Sequence, residues 1–354
     1  RLLDLASGRL RRMTGPTGGA APMAFSPDGR TLSTAEDDGS VILWDVEEGV
    51  PTETLEGHVG FAETHAFSPD GRTLYTAGDD GRVIVWDVAG NRRLGRPFPR
   101  GLGGWEPGHD SPPAFALSPD GRALAVARLD GRVELIDAET LRRTASFEAF
   151  PGRAAVAIDY SADGSRLAVA GEGGGVGVWD AESGERLGAL LRAPRGPRGP
   201  DAVNPRTVEA LAFGQGDLLA AAEAGGAVRI WDLGRRELLR APLRLPPSVL
   251  GLAFSPDGSR LAIPFGALSD PGSGPNGVEI LDVGSGERVA RLSTDGEVRS
   301  VAFSPDGNLL AGGEEDGGAL LWATDGWRRV GRPLARRNAS AGDFEAVSTL
   351  DVEF

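Results

Sequence analysis

The stretch Ala24-Phe25-Ser26-Pro27-Asp28-Gly29-Arg30, followed by apolar residues from Leu32, the pair Asp38-Gly39 and then Val41-Ile42-Leu43-Trp44-Asp45, decides the fold because it returns. A second copy runs from Phe67-Ser68-Pro69-Asp70-Gly71 to Val85-Trp86-Asp87. Later copies start at Leu117, Tyr160, Phe213, Phe254 and Phe303 and end at Ile136-Asp137, Trp179-Asp180, Trp231-Asp232, Leu281-Asp282 and Trp322-Ala323. The interval from anchor to end is 19 residues in five of these seven copies, 18 from Phe213 to Trp231, and 27 from Phe254 to Leu281, where residues are inserted before Val278. A spacing held this closely marks a repeated supersecondary unit.

Each unit reads as an antiparallel meander of four strands. Ser-Pro-Asp-Gly suits a type I turn, with Pro fixing φ at the second position and Gly closing the fourth, and joins strands one and two. Asp38-Gly39 and Asp80-Gly81 are expected to supply the φ > 0 residues of a primed hairpin turn between strands two and three. Strand three alternates, as in Val83-Ile84-Val85-Trp86. A polar fourth strand (Thr52 to Leu55; Arg93 to Phe98) suits an exposed sheet edge. One such sheet cannot bury both faces, whereas a ring of them can.

These residues resemble the WD40-repeat family in its bacterial-type arrays. The resemblance covers essentially the whole chain and implies an all-β fold: a β-propeller of four-stranded antiparallel blades, with seven complete repeats. It also implies a structural hydrogen-bond tetrad of His, Ser/Thr, Asp and Trp, which repeat two matches in full with His58, Thr76, Asp80 and Trp86. Repeat one keeps Thr34, Asp38 and Trp44 without a Gly-His. Repeat three has His109 and Asp130 but Val126 and Ile136, repeat seven keeps Asp316 and Trp322, and repeats four and five carry Gly173 and Gly225 at the Asp position. Most blades are therefore expected to rest on packing and ladder hydrogen bonds. His65, two residues before an anchor Phe, is expected to pack within its own blade.

The ends, residues 1–14 and 346–354, read as partial strands of an eighth blade in one propeller domain over 1–354. Leu2-Leu3-Asp4-Leu5 resembles a third strand, Arg9 to Met13 a fourth, and Val347 to Phe354 a first. The chain opens at Arg1 without Met, so a fragment of a longer chain is expected.

Composition narrows the function classes. The 354 residues carry 51 acidic and 37 basic side chains, a net charge of −14, which argues against a nucleic-acid partner. All the basic residues are Arg, so a phosphate loop built on Gly-Lys-Ser/Thr is absent. No apolar run approaches the ~20 residues of a membrane helix, so no membrane partner is expected. With no Cys and three His, thiolate chemistry is excluded and a His metal cluster has little material. Neither cofactor nor metal is expected, and the expected compartment is the cytoplasm.

Loop lengths point to a binding face. In a meander, connections between strands two and three share a rim with the blade-to-blade connections, and every long insertion falls there: residues 99–112, 192–206, 266–277 and 335–345. Binding residues concentrate on such loops over a rigid scaffold. The expected partner-binding residues on this rim are Arg100, Trp105, Arg192, Arg195, Arg198, Asp270 and Asn276. Trp105 stands outside the strand-three position that holds five of the seven Trp, and 192–200 is a basic, Pro-rich run in an acidic chain. The expected function is a non-catalytic protein- or peptide-binding scaffold, the interaction or sensing module of a larger bacterial regulatory protein with an NTPase, kinase or other effector domain outside this segment. The alternative is a propeller hydrolase or lactonase with a polar or metal site in the central channel. That class needs inward polar residues on first strands, which here read Ala21-Pro22-Met23-Ala24-Phe25 and Leu250-Gly251-Leu252-Ala253-Phe254.

Overall fold

In the computed structural model of the chain, residues 2–3, 10–11, 23–94, 114–192, 208–266 and 276–330 are described, apart from 37, 61, 79, 81, 91, 129, 224, 247–248, 250 and 315–318. All the regular structure within them is β. Seven antiparallel sheets follow one another along the chain, each with its strands in sequence order, except that in the fifth sheet Leu243–Arg244 also pairs with Ala227–Asp232. Together they form a seven-bladed β-propeller. Blade one comprises Met23–Phe25, Thr31–Ala35, Val41–Asp45 and Val50–Leu55. Blades two to seven begin at Ala62, Phe115, Ala155, Val208, Ala253 and Val298. Leu2–Leu3 pairs antiparallel with Leu10–Arg11 in a separate two-stranded sheet.

Register explains the constant interval. In blade two Phe67 lies opposite Leu74, and Leu74 opposite Trp86. The same row recurs as Phe25, Leu32 and Trp44 in blade one and as Tyr160, Leu167 and Trp179 in blade four. The anchor, a Leu and the Trp thus form one lateral row across three strands, and their spacing measures two hairpins. Blade six keeps the row (Phe254, Leu261, Leu281) despite its longer interval, because the extra residues lie in the connection after Phe265. The central Leu is at most 2% exposed in every blade. Burying such a side chain contributes about 2 kcal/mol.

Packing runs from blade to blade. Ala35, Val41, Leu43 and Leu55 of blade one meet Ala62, Phe67, Leu74, Ile84 and Trp86 of blade two in one cluster. Corresponding clusters join blades two and three, three and four, four and five, five and six, and six and seven. A further cluster, Leu32, Ile42 and Trp44 with Phe25 and Val46, draws its described residues from blade one alone.

The Ser-Pro-Asp-Gly turns follow one design. In the first, the Gly29 N–H donates to the Ser26 carbonyl at 2.8 Å and Gly29 takes φ of +67°. The Ser26 hydroxyl donates to Asp28 Oδ1 at 2.6 Å and accepts from the Thr31 N–H at 2.9 Å. The turns also touch in sequence: a Cβ on Gly71 would stand 3.6 Å from Pro27 Cδ, and one on Gly121 would collide with Pro69.

The turn between strands two and three differs from the sequence expectation. Gly39 is left-handed at +84°, but Asp38 is not, and the Gly39 N–H donates to the Glu36 carbonyl at 3.0 Å. The turn is thus closed over four residues with a left-handed Gly at its end, rather than as a primed two-residue turn. Gly131 in blade three repeats it, donating to the Arg128 carbonyl with φ of +82°. Gly81 lies outside the described residues.

Candidate functional site

Four polar side chains of repeat two join in a single hydrogen-bonded path. Thr76 sits mid-strand on Thr73–Gly78, Trp86 on Val83–Asp87, and His58 and Asp80 on the connections that flank them. The Trp86 indole N–H donates to Thr76 Oγ1 at 2.9 Å. Thr76 Oγ1 lies 2.8 Å from His58 Nε2, and His58 Nδ1 lies 3.0 Å from Asp80 Oδ1. With Oγ1 accepting from the indole, its own proton goes to Nε2, which leaves Nδ1–H to donate to the carboxylate. Asp80 also accepts from the Val59 and Arg82 backbone N–H groups. Burial alone would raise the Asp80 carboxyl, but His58 and these two N–H groups hold it below the usual carboxylate range. Gly57 is needed for packing, since a Cβ there would stand 2.8 Å from the Trp86 ring.

Blade one reaches the same end differently. Trp44 donates to Thr34 Oγ1 at 2.9 Å, and Thr34 donates to Glu36 at 3.4 Å. Glu36 is 6% exposed and stands in for the missing His. Asp38 instead accepts from the Ser40 hydroxyl and N–H within its own turn. The Glu was not legible as a partner because nothing in its spacing distinguishes it from a surface acid.

His65 reaches beyond its own blade, which the sequence expectation did not foresee. Its Nδ1 lies 3.1 Å from Ser33 Oγ of blade one, and Nε2 is buried without a partner. Burial pushes the imidazole down to about 3, aided by the nearby His58 ring. It is a neutral seam residue rather than a base.

Six further aspartates are held in turns. Asp28, Asp70, Asp120, Asp163, Asp257 and Asp306 each accept from a Ser hydroxyl, the largest cause of their lowered pKa, and from a backbone N–H. Asp159 is different. Burial raises it to about 6, against a hydrogen bond from the Phe213 N–H of blade five at 3.0 Å. Among the described residues no group of three or more His, Asp or Glu could hold a metal ion.

Of the expected rim residues, two are described. Arg192 lies in the fourth strand of blade four, opposite Gly175, and Asn276 opens the third strand of blade six, opposite Thr294. Both thus belong to ladders rather than to the long connections, which shortens the segments assigned to residues 192–206 and 266–277. Arg100, Trp105, Arg195, Arg198 and Asp270 lie outside the described residues, as do His109, Asp316 and the segment 346–354.

Fold and network define a propeller of tryptophan-anchored repeats. The model of the WD domain, G-beta repeat family matches residues 20–45, 49–87 and 286–323. The chain is accordingly a seven-bladed β-propeller that carries WD40-family repeats in those three regions. A stretch of 87 residues is 36% identical to the Periodic tryptophan protein 2 homolog of Schizosaccharomyces pombe, covering 24% of this chain and 9% of that protein. Among the described residues no helix is long and apolar enough to cross a membrane.

Proposed function

We propose that the chain is a non-catalytic scaffold that binds protein or peptide partners, and that it serves as the interaction or sensing module of a larger, cytoplasmic bacterial regulatory protein. The observation that carries the reading is how its acids are used. Six Asp residues lock hairpin turns through Ser and backbone donors, and Asp80 closes the buried tetrad. An acid–base pair needs groups that are exposed to substrate and free to exchange protons. Relatives built on this repeat are commonly interaction scaffolds, which supports the same reading. The rim of long connections, with Trp105, Arg195 and Arg198, is the proposed contact face.

The test is to select binders from a phage-displayed random peptide library on the purified chain and to assay the chain against ester and lactone panels with metal analysis. Saturable one-to-one peptide binding without turnover is expected. A Trp105→Ala, Arg195→Ala, Arg198→Ala triple variant is expected to weaken rim binders about tenfold, or about 1.4 kcal/mol. Turnover that tracks a stoichiometric bound metal would overturn the scaffold.

A further inference from the structure

We infer that the seam between blades four and five carries a docking groove for a short extended peptide in which an acidic side chain is flanked by leucine-type side chains. The inference shares the scaffold reading but is independent of the long-connection rim. It starts from a cavity of about 680 Å³ on this seam, a volume in the range of built ligand pockets.

The groove exists because the outer strand of blade four is broken. In blades one and three the fourth strand runs six residues along the third. In blade four Arg186 bridges to Trp179, and Leu191–Arg192 rejoins the ladder at Val176 and Gly175. Gly188 to Leu190 lie between those two pairings, outside the ladder. Leu187 and Leu190 thereby line the cavity opposite Trp231 and Leu238 of blade five, with Val178 also lining it. Leu187 is 44% exposed, an uncommon position for a large aliphatic side chain in this molecule. The Trp231 row offers no hydroxyl at the tetrad position, which is Ala221, opposite Arg229.

Its charge is opposite to that of the chain. Arg166, Arg229 and Arg236 line the cavity against one acid, Asp217, in a protein of net charge −14. Arg166 is committed, donating to Asp217 at 2.6 Å and to the Gly216 carbonyl at 2.8 Å. Arg229 is only half committed. It is 6% exposed and paired with Glu223 through Nη1, while its Nε is buried without a partner. A buried unpaired N–H costs about 1–3 kcal/mol, so an acceptor arriving there is favoured.

Arg236 is the most informative of the three. Its backbone is left-handed at φ +56°, at the turn position where blades one, four and six use Gly49, Gly184 and Gly286. The other two side chains found there among the described residues have packing roles. Leu141 joins the seam between blades two and three, and Trp327 stands edge-on to Phe303 at 6.3 Å. Arg236 has no hydrogen bond or ion pair among the described residues, yet its guanidinium carbon lies 3.6 Å from where a Gly188 Cβ would sit, at the broken strand. Retained backbone strain of this kind points to a use for the side chain. One half-paired buried guanidinium and one unpaired exposed guanidinium, set among leucines and a Trp, match a single carboxylate between aliphatic side chains.

The experiment uses the phage-displayed random peptide library on the purified chain, with enriched peptides synthesised with capped ends and titrated by fluorescence anisotropy. Wild type is compared with Arg236→Gly and Leu187→Asp, both at exposed positions. Enriched peptides are expected to carry Asp or Glu beside Leu, Ile or Met. Leu187→Asp is expected to weaken them about tenfold or more and Arg236→Gly about fivefold, and replacing the peptide acid by its amide should cost less on Arg236→Gly than on wild type. Arg236→Gly should also melt higher than wild type, because Gly relieves the turn; weaker binding by a more stable chain excludes a merely structural role. Peptides that bind both variants as they bind wild type, or a pool without the acidic–aliphatic pattern, would overturn the groove. If those peptides are instead lost on the Trp105 rim variant, the scaffold reading survives the groove's failure; a library that yields no binder to wild type sinks both.

Discussion

Asp159 shows how a single carboxyl makes the stability of this fold depend on pH. Its folded pKa, raised to about 6 by burial, exceeds the ordinary value of 3.8, so between these pH values the folded state holds the extra proton. Stability from this residue is therefore greatest below 3.8 and is lost as pH rises through 6. At neutral pH the cost reaches about 3 kcal/mol at most, since one pKa unit is worth about 1.4 kcal/mol and Asp159 keeps some solvent contact. Asp159→Asn keeps an oxygen to accept the Phe213 N–H and removes the charge. The variant should raise the urea midpoint at pH 7.5, with the gain shrinking below pH 6 and nearly gone near 3.8. An equal gain at both ends of that range, or a loss at pH 7.5, would rule out desolvation as the cause. The sequence could not show this group. Asp159 occupies an ordinary strand position, and its environment comes from Phe213, 54 residues later. The tetrad of blade two was legible because repeat two carries all four residue types that the family resemblance implies. Glu36 was not, because an acid two residues after Thr34 looks like any surface acid, and the Ser33–His65 contact was not, because its two residues lie on neighbouring blades.

At the scale of the element, the glycines of the second turn carry more than their dihedral. A Cβ on Gly131 would fall 1.9 Å from the Phe150 carbonyl and 2.4 Å from that of Arg153. Gly39 stands likewise against the Gly60 carbonyl and Gly226 against that of Leu245. The turn between strands two and three thus lies beneath the passage to the next blade, and Gly131 O accepts from the Ala149 and Phe150 N–H groups on that passage. Reading Asp-Gly as a turn signal found the hairpin but not this second duty, which depends on where the following connection runs. Gly29 shares the left-handed φ at +67°, yet a Cβ there would meet nothing within 4 Å. Gly29→Ala should therefore cost about 1–2 kcal/mol, the dihedral penalty alone. Gly131→Ala should cost more than about 3 kcal/mol or prevent folding, because backbone must move as well. Chemical denaturation of the two variants measures the difference, and equal costs would mean that the crossover yields freely.

At the scale of the molecule, each of blades two to six is half of two cores. Phe150, on the connection from blade three to blade four, lies 6.1 Å from Trp179 at 75° and fills the space left by Gly171 and Gly175. Leu261 of blade six lies in the cluster shared with blade five. In repeat arrays stability is close to a sum of unit terms and neighbour interfaces, so a weakened interface separates the array only if the units are stable alone. Here the units are not independent. A single sheet whose Leu row is at most 2% exposed would present that row to water without its neighbours. Phe150→Ala is expected to cost about 3–5 kcal/mol and Leu261→Ala about 2–5 kcal/mol. Although these residues lie on different seams, both should lower one common calorimetric transition, with calorimetric and van't Hoff enthalpies in agreement. Two transitions, of which each variant shifted only one, would show that the blades group into separate folding units and that packing between seams is weaker than their shared rows imply.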